Sequence, residues 1–190
     1  MPLRHHQKAF ATALLAAAIS FGAGGQALAA DFKLAMSSPP TSMDPHFYNL
    51  FSNINVSEHI FDSLIKMDAD SRIIPGLAES WKLVNETTWE FKIRKGVKFH
   101  DGSPLTAEDI LWSLDRPATI QNSPGKFDVY TKAIVAKKIV DPNTIQLITA
   151  QPYPLVLNDL TSIFIVQKKA TQGLNSDDFA QGTGMVGTGP

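Results

Sequence analysis

Four places in the 190-residue chain carry residue types that do chemistry in other proteins, and the spacing of each decides what it is worth. His100-Asp101 sets a base beside a carboxylate, the material of general acid/base work. Adjacent residues at a strand end point to opposite sides, so the pair reads as the end of a strand. Asp68 and Asp70 are placed like the start of a calcium loop, but the glycine and distal glutamate that complete one are missing, and a hairpin turn is expected. His46 has no second metal-type residue at coordinating spacing and reads as a surface or turn histidine. Gly182-Thr183-Gly184-Met185-Val186-Gly187 satisfies G-x-G-x-x-G, yet no strand precedes it, no helix can follow before Pro190, and no βαβ unit surrounds it. There is no nucleophile elbow, no His-Glu-x-x-His and no phosphate loop. No catalytic residue, metal ligand or cofactor is therefore expected, and binding is the chemistry that remains. A secreted enzyme domain with an unrecognised site is the alternative from a different class.

Composition narrows the setting. With 44% hydrophobic and 18% charged residues, the chain has the make-up of a folded globular domain. Arg4 and Lys8 precede an apolar run over residues 9–23, and Ala27-Leu28-Ala29 forms a small-x-small cleavage site. Residues 1–29 are expected to be a secretory signal peptide, since the run is too short and too rich in alanine and glycine for an anchor. Without them the net charge falls from −1 to −3, because they hold two of the 17 basic residues and none of the 18 acidic ones. Nucleic acid is thereby excluded as an expected partner. The absence of cysteine rules out disulfides and thiolate metal sites, so an exported domain must be held by its core.

The elements follow from periodicity. Trp89, Phe91 and Ile93 alternate with Thr88, Glu90, Lys92 and Arg94, which predicts a half-buried strand. Trp81 and Leu83 before it and Val97 and Phe99 after it extend the pattern to a three-stranded antiparallel meander with a charged outer face. Thr106 and Asp109 predict a capping box for a helix from 107 to 115, with Leu105 and Ile110 as its hydrophobic staple. Earlier, Ile54, Val56, Ile60, Phe61 and Leu64 predict an amphipathic helix over 53–64, and residues 64–67 a strand. A short strand is expected at 32–37. Later, Asp141-Pro142-Asn143-Thr144 predicts the turn of a second hairpin over 132–149, followed by a short helix over 155–160 and a strand at 163–166.

The run from Trp89 through Lys-Gly-Val-Lys-Phe-His-Asp-Gly-Ser-Pro-Leu-Thr-Ala-Glu-Asp to Ile110 resembles the signature of the periplasmic solute-binding proteins of peptide-type ABC importers, which take dipeptides, oligopeptides or nickel complexes. Met43-Asp44-Pro45-His46 is similar to the family's Leu-Asp-Pro-His segment, the stretch 74–81 to its Pro-x-Leu-Ala-x-x-Trp run, and Val186-Gly187-Thr188-Gly189-Pro190 to its Gly-Thr-Gly-Pro-aromatic segment. The resemblance implies an α/β fold of mixed sheets with packed helices, like a type II periplasmic binding protein. It covers roughly the first third of a family member. It implies a start of the first large lobe at 30–52, a smaller lobe at 53–180 and re-entry into the first lobe at 181–190. It further implies a periplasmic, monomeric substrate-binding component that delivers a small peptide or related solute to membrane permease subunits. Part of the ligand's backbone pairing would fall at Tyr48, Asn49, Leu50 and Phe51, although Tyr48 and Phe51 can equally serve to seat the following helix. Relatives often carry an aromatic after a Ser-Pro pair, but Ser123-Pro124 is followed by Gly125, so that contact is not carried over. A truncated binding protein without a transport role is the third reading.

Overall fold

The alternating run at Thr88 is the centre of a four-stranded sheet. A computed structural model describes residues 35, 36 and 38–190, and in it β3 (Ala78–Asn85), β4 (Thr88–Ile93), β5 (Ile134–Asp141) and β6 (Thr144–Thr149) form an antiparallel sheet in the order β3-β4-β6-β5. The expected signal peptide lies outside the described residues, as does all but residues 35 and 36 of the expected strand over 32–37. Both hairpins form as the turns require, with Leu83 opposite Trp89 and Ile139 opposite Ile145. Phe91, Ile93, Ile145 and Leu147 face the core, and the other face carries a ladder in which Glu90 accepts from Lys82 at 3.2 Å and from Gln146 at 2.8 Å. That polar face is the solvated one the alternation calls for.

The meander does not continue to a third strand. After Gly96 the chain folds back on itself, with Leu105 N–H donating to the Val97 carbonyl and Phe99 N–H to that of Ser103. β6, brought from more than fifty residues away, takes the place beside β4. Val97 and Phe99 are alternately spaced because both reach inward from a closed loop, a pattern that a strand would give as well.

The loop delivers the chain into α2 (Ala107–Asp115). Its capping box is complete: Asp109 N–H donates to Thr106 Oγ1 at 3.3 Å, and Thr106 N–H donates to Asp109 Oδ2 at 2.9 Å. Ile110 and Leu114 are buried against the sheet, and Leu105 packs on the same core. Pro117 ends the α-helix by turning it into a 3₁₀ turn over Arg116–Thr119.

α1 departs from its expected form. It runs only over Phe51–Glu58, and the side it buries is polar, comprising Ser52, Asn53 and Ser57, while Ile54 and Val56 are half-buried. Asn53 explains the inversion, since its side chain accepts from Thr41 N–H at 2.8 Å and donates to Thr41 Oγ1 at 3.2 Å, tying the helix to the preceding loop. Phe61 and Leu64 are buried beyond the helix end, in the chain leading to β1 (Ile65–Met67), which pairs with β2 (Ile73–Pro75). The turn between them is held by Asp68, which accepts from the N–H groups of Asp70 and Arg72 at 2.9 Å and from Arg72 Nε at 2.8 Å.

Residues 163–167 are all buried, yet they make no ladder; the single bridge is between Ser63 and Phe164. Two side chains and one backbone carbonyl take the place of a strand partner. Val166 N–H donates to Ser113 Oγ at 2.9 Å, Ile165 N–H to the Asp62 carbonyl at 2.8 Å, and His46 Nε2 to the Phe164 carbonyl at 2.8 Å. Ile163 and Ile165 belong to the core under the sheet, whereas Phe164 and Val166 belong to a second cluster with Phe61 and Phe179. Short helices α3 (Val156–Leu160), α4 (Lys168–Thr171) and α5 (Ser176–Ala180) flank this segment within the compact unit Met36–Pro190. No helix among the described residues is long and apolar enough to cross a membrane.

Candidate functional site

The segment from Asp44 to Phe51 is positioned by a buried ion pair that neither local pattern nor motif announced. Arg116, 1% exposed, donates from Nη1 and Nη2 to the two oxygens of Asp44 at 2.7 and 2.8 Å. Ser176 Oγ donates to Asp44 Oδ2 at 2.6 Å, and the guanidinium lies 4.8 Å from the centre of the Phe179 ring. A bidentate pair of this kind fixes both position and orientation. It clamps the Asp-Pro-His turn onto the end of α2 and onto α5.

His46 is the fourth member; it lies in a turn, one of the two places its isolation in sequence suggested, but is fully buried and not on the surface. Arg116 Nη1 approaches its Nδ1 at 3.3 Å while Nε2 meets the Phe164 carbonyl, an arrangement satisfied by the neutral tautomer protonated on Nε2. Burial first, and then the Arg116 charge, push its pKa down to about 4. For Asp44 burial alone acts upward, but the hydrogen bonds and charge of Arg116 outweigh it and hold the carboxyl below its usual value.

A pH dependence follows. The unfolded chain protonates this imidazole near the ordinary 6.5, whereas the folded chain does not until about 4. Stability is therefore lost as pH falls through that window and is unaffected by His46 above it. The unfolding free energy from urea titration should fall between pH 7 and pH 5 by about 1–2 kcal/mol more in the wild type than in His46→Gln. Equal losses in the two proteins would mean that His46 is not held neutral in the fold.

Beyond the clamp, the chain lies along the loop that follows the 3₁₀ turn. Ser123 Oγ donates to the Phe47 carbonyl, Tyr48 forms a parallel bridge with Gly125, and Asn49 N–H donates to the Gly125 carbonyl at 3.0 Å. A Cβ at Gly125 would sit 3.0 Å from the Tyr48 ring, so the residue that replaces the family's aromatic also lets Tyr48 close in. Leu50, with φ −120° and ψ 136°, is the extended residue from which α1 starts. Of the four residues expected to meet ligand, Tyr48 and Leu50 are half-buried, Asn49 is exposed, and Phe51 is 77% exposed. They form one continuous ledge, its exposed side chains at Asn49 and Phe51.

The other candidates are used structurally. His100 Nε2 meets the Gly189 carbonyl at 3.0 Å, while Asp101 accepts from Gln167 Nε2 at 3.0 Å and from Ser103 Oγ at 2.7 Å, so the two neighbours serve different partners. Gln167 foremost, with Ser103, brings Asp101 down to about 2. In the glycine-rich end, Gly187 packs so closely that a Cβ would fall 1.8 Å from the Ile60 carbonyl oxygen. That glycine is a point of backbone contact, not a phosphate cradle. What the sequence reading missed at the site is the Asp44, Arg116 and Ser176 cluster; an arginine just past a helix end, beside a proline, was the available signal.

A family model described as bacterial extracellular solute-binding proteins, family 5, middle region, matches residues 72–190. The chain is 29% identical over 181 residues to the glutathione-binding protein GsiB of Salmonella choleraesuis, covering 94% of this chain and 35% of GsiB. It is 35% identical over 106 residues to the periplasmic oligopeptide-binding protein OppA of Escherichia coli, covering 50% of this chain and 20% of OppA. The structure matches that of the Escherichia coli murein tripeptide binding protein MppA with a TM-score of 0.69 at 25% identity, over 81% of this chain and 33% of MppA. The chain thus spans about a third of the length of the GsiB proteins of Salmonella that it matches. Its mixed α/β fold is that of type II periplasmic binding proteins. The match over residues 72–190 places the chain in family 5 of the bacterial extracellular solute-binding proteins, to which it belongs.

Proposed function

We propose that the chain is the amino-terminal part of the substrate-binding component of an ABC importer, exported by its first 29 residues to the periplasm, where it captures a small peptide or related solute for delivery to membrane permease subunits. The lobe division proposed is the one implied by resemblance, with 53–180 as the smaller lobe and 30–52 and 181–190 belonging to the first. The observation that carries the reading is the ledge of Tyr48, Asn49, Leu50 and Phe51. It is extended at Leu50, pinned along one edge by Gly125 and anchored by a buried ion pair, with exposed side chains at Asn49 and Phe51. The Asn49 and Leu50 N–H groups and the Tyr48 and Leu50 carbonyls are already bonded within the fold, so a peptide laid along the ledge is met chiefly by the exposed side chains, Asn49 offering its amide and Phe51 apolar area. Names of relatives that bind glutathione, oligopeptides and murein tripeptide support a peptide-like solute.

Amide-resolved NMR titration with trialanine tests this. Shifts should appear at residues 48–51 with millimolar affinity, because one wall of a cleft gives only part of the contact that enclosure between lobes supplies. No shift at those amides would refute the ledge as the ligand strand, and turnover of the peptide would favour an enzyme.

A further inference from the structure

The hydroxyl of Tyr130 stands at the ledge with its proton uncommitted. Asn49 Nδ2 donates to Tyr130 Oη at 2.6 Å, and with the amide in this orientation the phenol is the acceptor of the pair and keeps its own hydrogen for another partner. Among the described residues no acceptor for it is found. The ring is held in place by packing. Phe127, 1% exposed, lies 6.0 Å from the Tyr130 ring at 54° and 6.4 Å from the His46 ring at 58°, which links Tyr130 to the buried clamp. The 3₁₀ turn Phe127–Tyr130 is closed behind it by the Thr131 N–H donating to the Asp128 carbonyl at 3.0 Å. A fixed phenol beside an exposed asparagine, with an O–H to give and an amide oxygen to receive, is the complement of a peptide group.

The geometry points to Tyr130 as a further ligand-contacting residue of this site, its O–H donating to a carbonyl or carboxylate oxygen of a peptide lying along residues 48–51. The inference rests on the ledge being the ligand strand. It adds a side-chain contact from a residue 81 positions further along the chain than Asn49, one that favours a solute with an oxygen acceptor beside the Asn49 position over a purely apolar one.

The test is a double-mutant cycle on the 190-residue chain, read by NMR titration with trialanine. Tyr130→Phe keeps the ring and its packing on Phe127, so the urea midpoint should stay within error of wild type while trialanine affinity falls about three- to tenfold. The same loss should appear when Tyr130→Phe is introduced into Asn49→Ala, because the phenol meets the ligand itself. If the loss vanishes in the Asn49→Ala background, Tyr130 acts only by holding Asn49, and the inference is overturned. Unchanged affinity in Tyr130→Phe, with wild-type shifts at residues 48–51 intact, overturns this inference alone. An absence of wild-type shifts there removes the ledge reading and this contact together.

Discussion

Arg116→Met is expected to destabilise the protein by about 3–5 kcal/mol, because it leaves the Asp44 carboxylate buried without its cation. Methionine fills much of the volume and keeps contact with Phe179, so the loss isolates charge and hydrogen bonding from packing. Asp44 would retain Ser176 and the His46 N–H, which are too few donors for a fully desolvated carboxylate. In the double variant Asp44→Asn/Arg116→Met no unpaired charge remains, and the loss should be clearly smaller than the sum of the single losses. Urea unfolding followed by tryptophan fluorescence measures all of these. A loss below about 1 kcal/mol for Arg116→Met would mean that the clamp contributes little, and that the ledge is positioned by the Gly125 loop alone.

Phe91→Ala should cost a comparable 3–5 kcal/mol or so, and its neighbour Lys92→Ala about 0.5 kcal/mol or less. Phe91 is fully buried at the middle of the sheet, opposite Trp81 on one side and Ile145 on the other, and truncation leaves a cavity that two sheet neighbours and α2 cannot close. Lys92 points to the solvated face, where its Nζ donates to Thr144 Oγ1 at 2.7 Å and approaches Asp141 at 3.9 Å. Half-exposed ion pairs of that kind contribute little. Equal effects from the two substitutions would contradict the strand's orientation.

The two hairpins and the capped helix were legible in the sequence because each is written in consecutive residues: alternation through Trp89, Phe91 and Ile93, a turn at Asp141-Pro142, a capping pair at Thr106 and Asp109. Local pattern misleads where partners come from far away. Val97 and Phe99 alternate like a strand, yet the place beside β4 goes to β6, whose claim lies in a register set fifty residues later. The apolar spacing of Ile54, Val56 and Ile60 suggested one buried face, but Asn53 turns α1 the other way through a bond to Thr41. His46 and Arg116 look unremarkable one at a time, and become a site only when the fold sets them 3.3 Å apart. The ledge residues themselves were reached through resemblance to the family, and nothing in their own spacing distinguishes them from a plain helix approach.

Residues 163–167 carry a consequence for the order of assembly. The stretch feeds both cores with alternate side chains, and its backbone is satisfied by groups lying as many as 118 residues earlier in the chain. Such distant closures are slow and bring their reward only when both ends are already in place. The hairpins and α2 can form from their own consecutive residues, but Ser113 and His46 wait for Val166 and Phe164 to arrive. Until this strip is inserted neither core is sealed, and once it is inserted neither can open without the other, so the two halves of the unit are bound to melt as one.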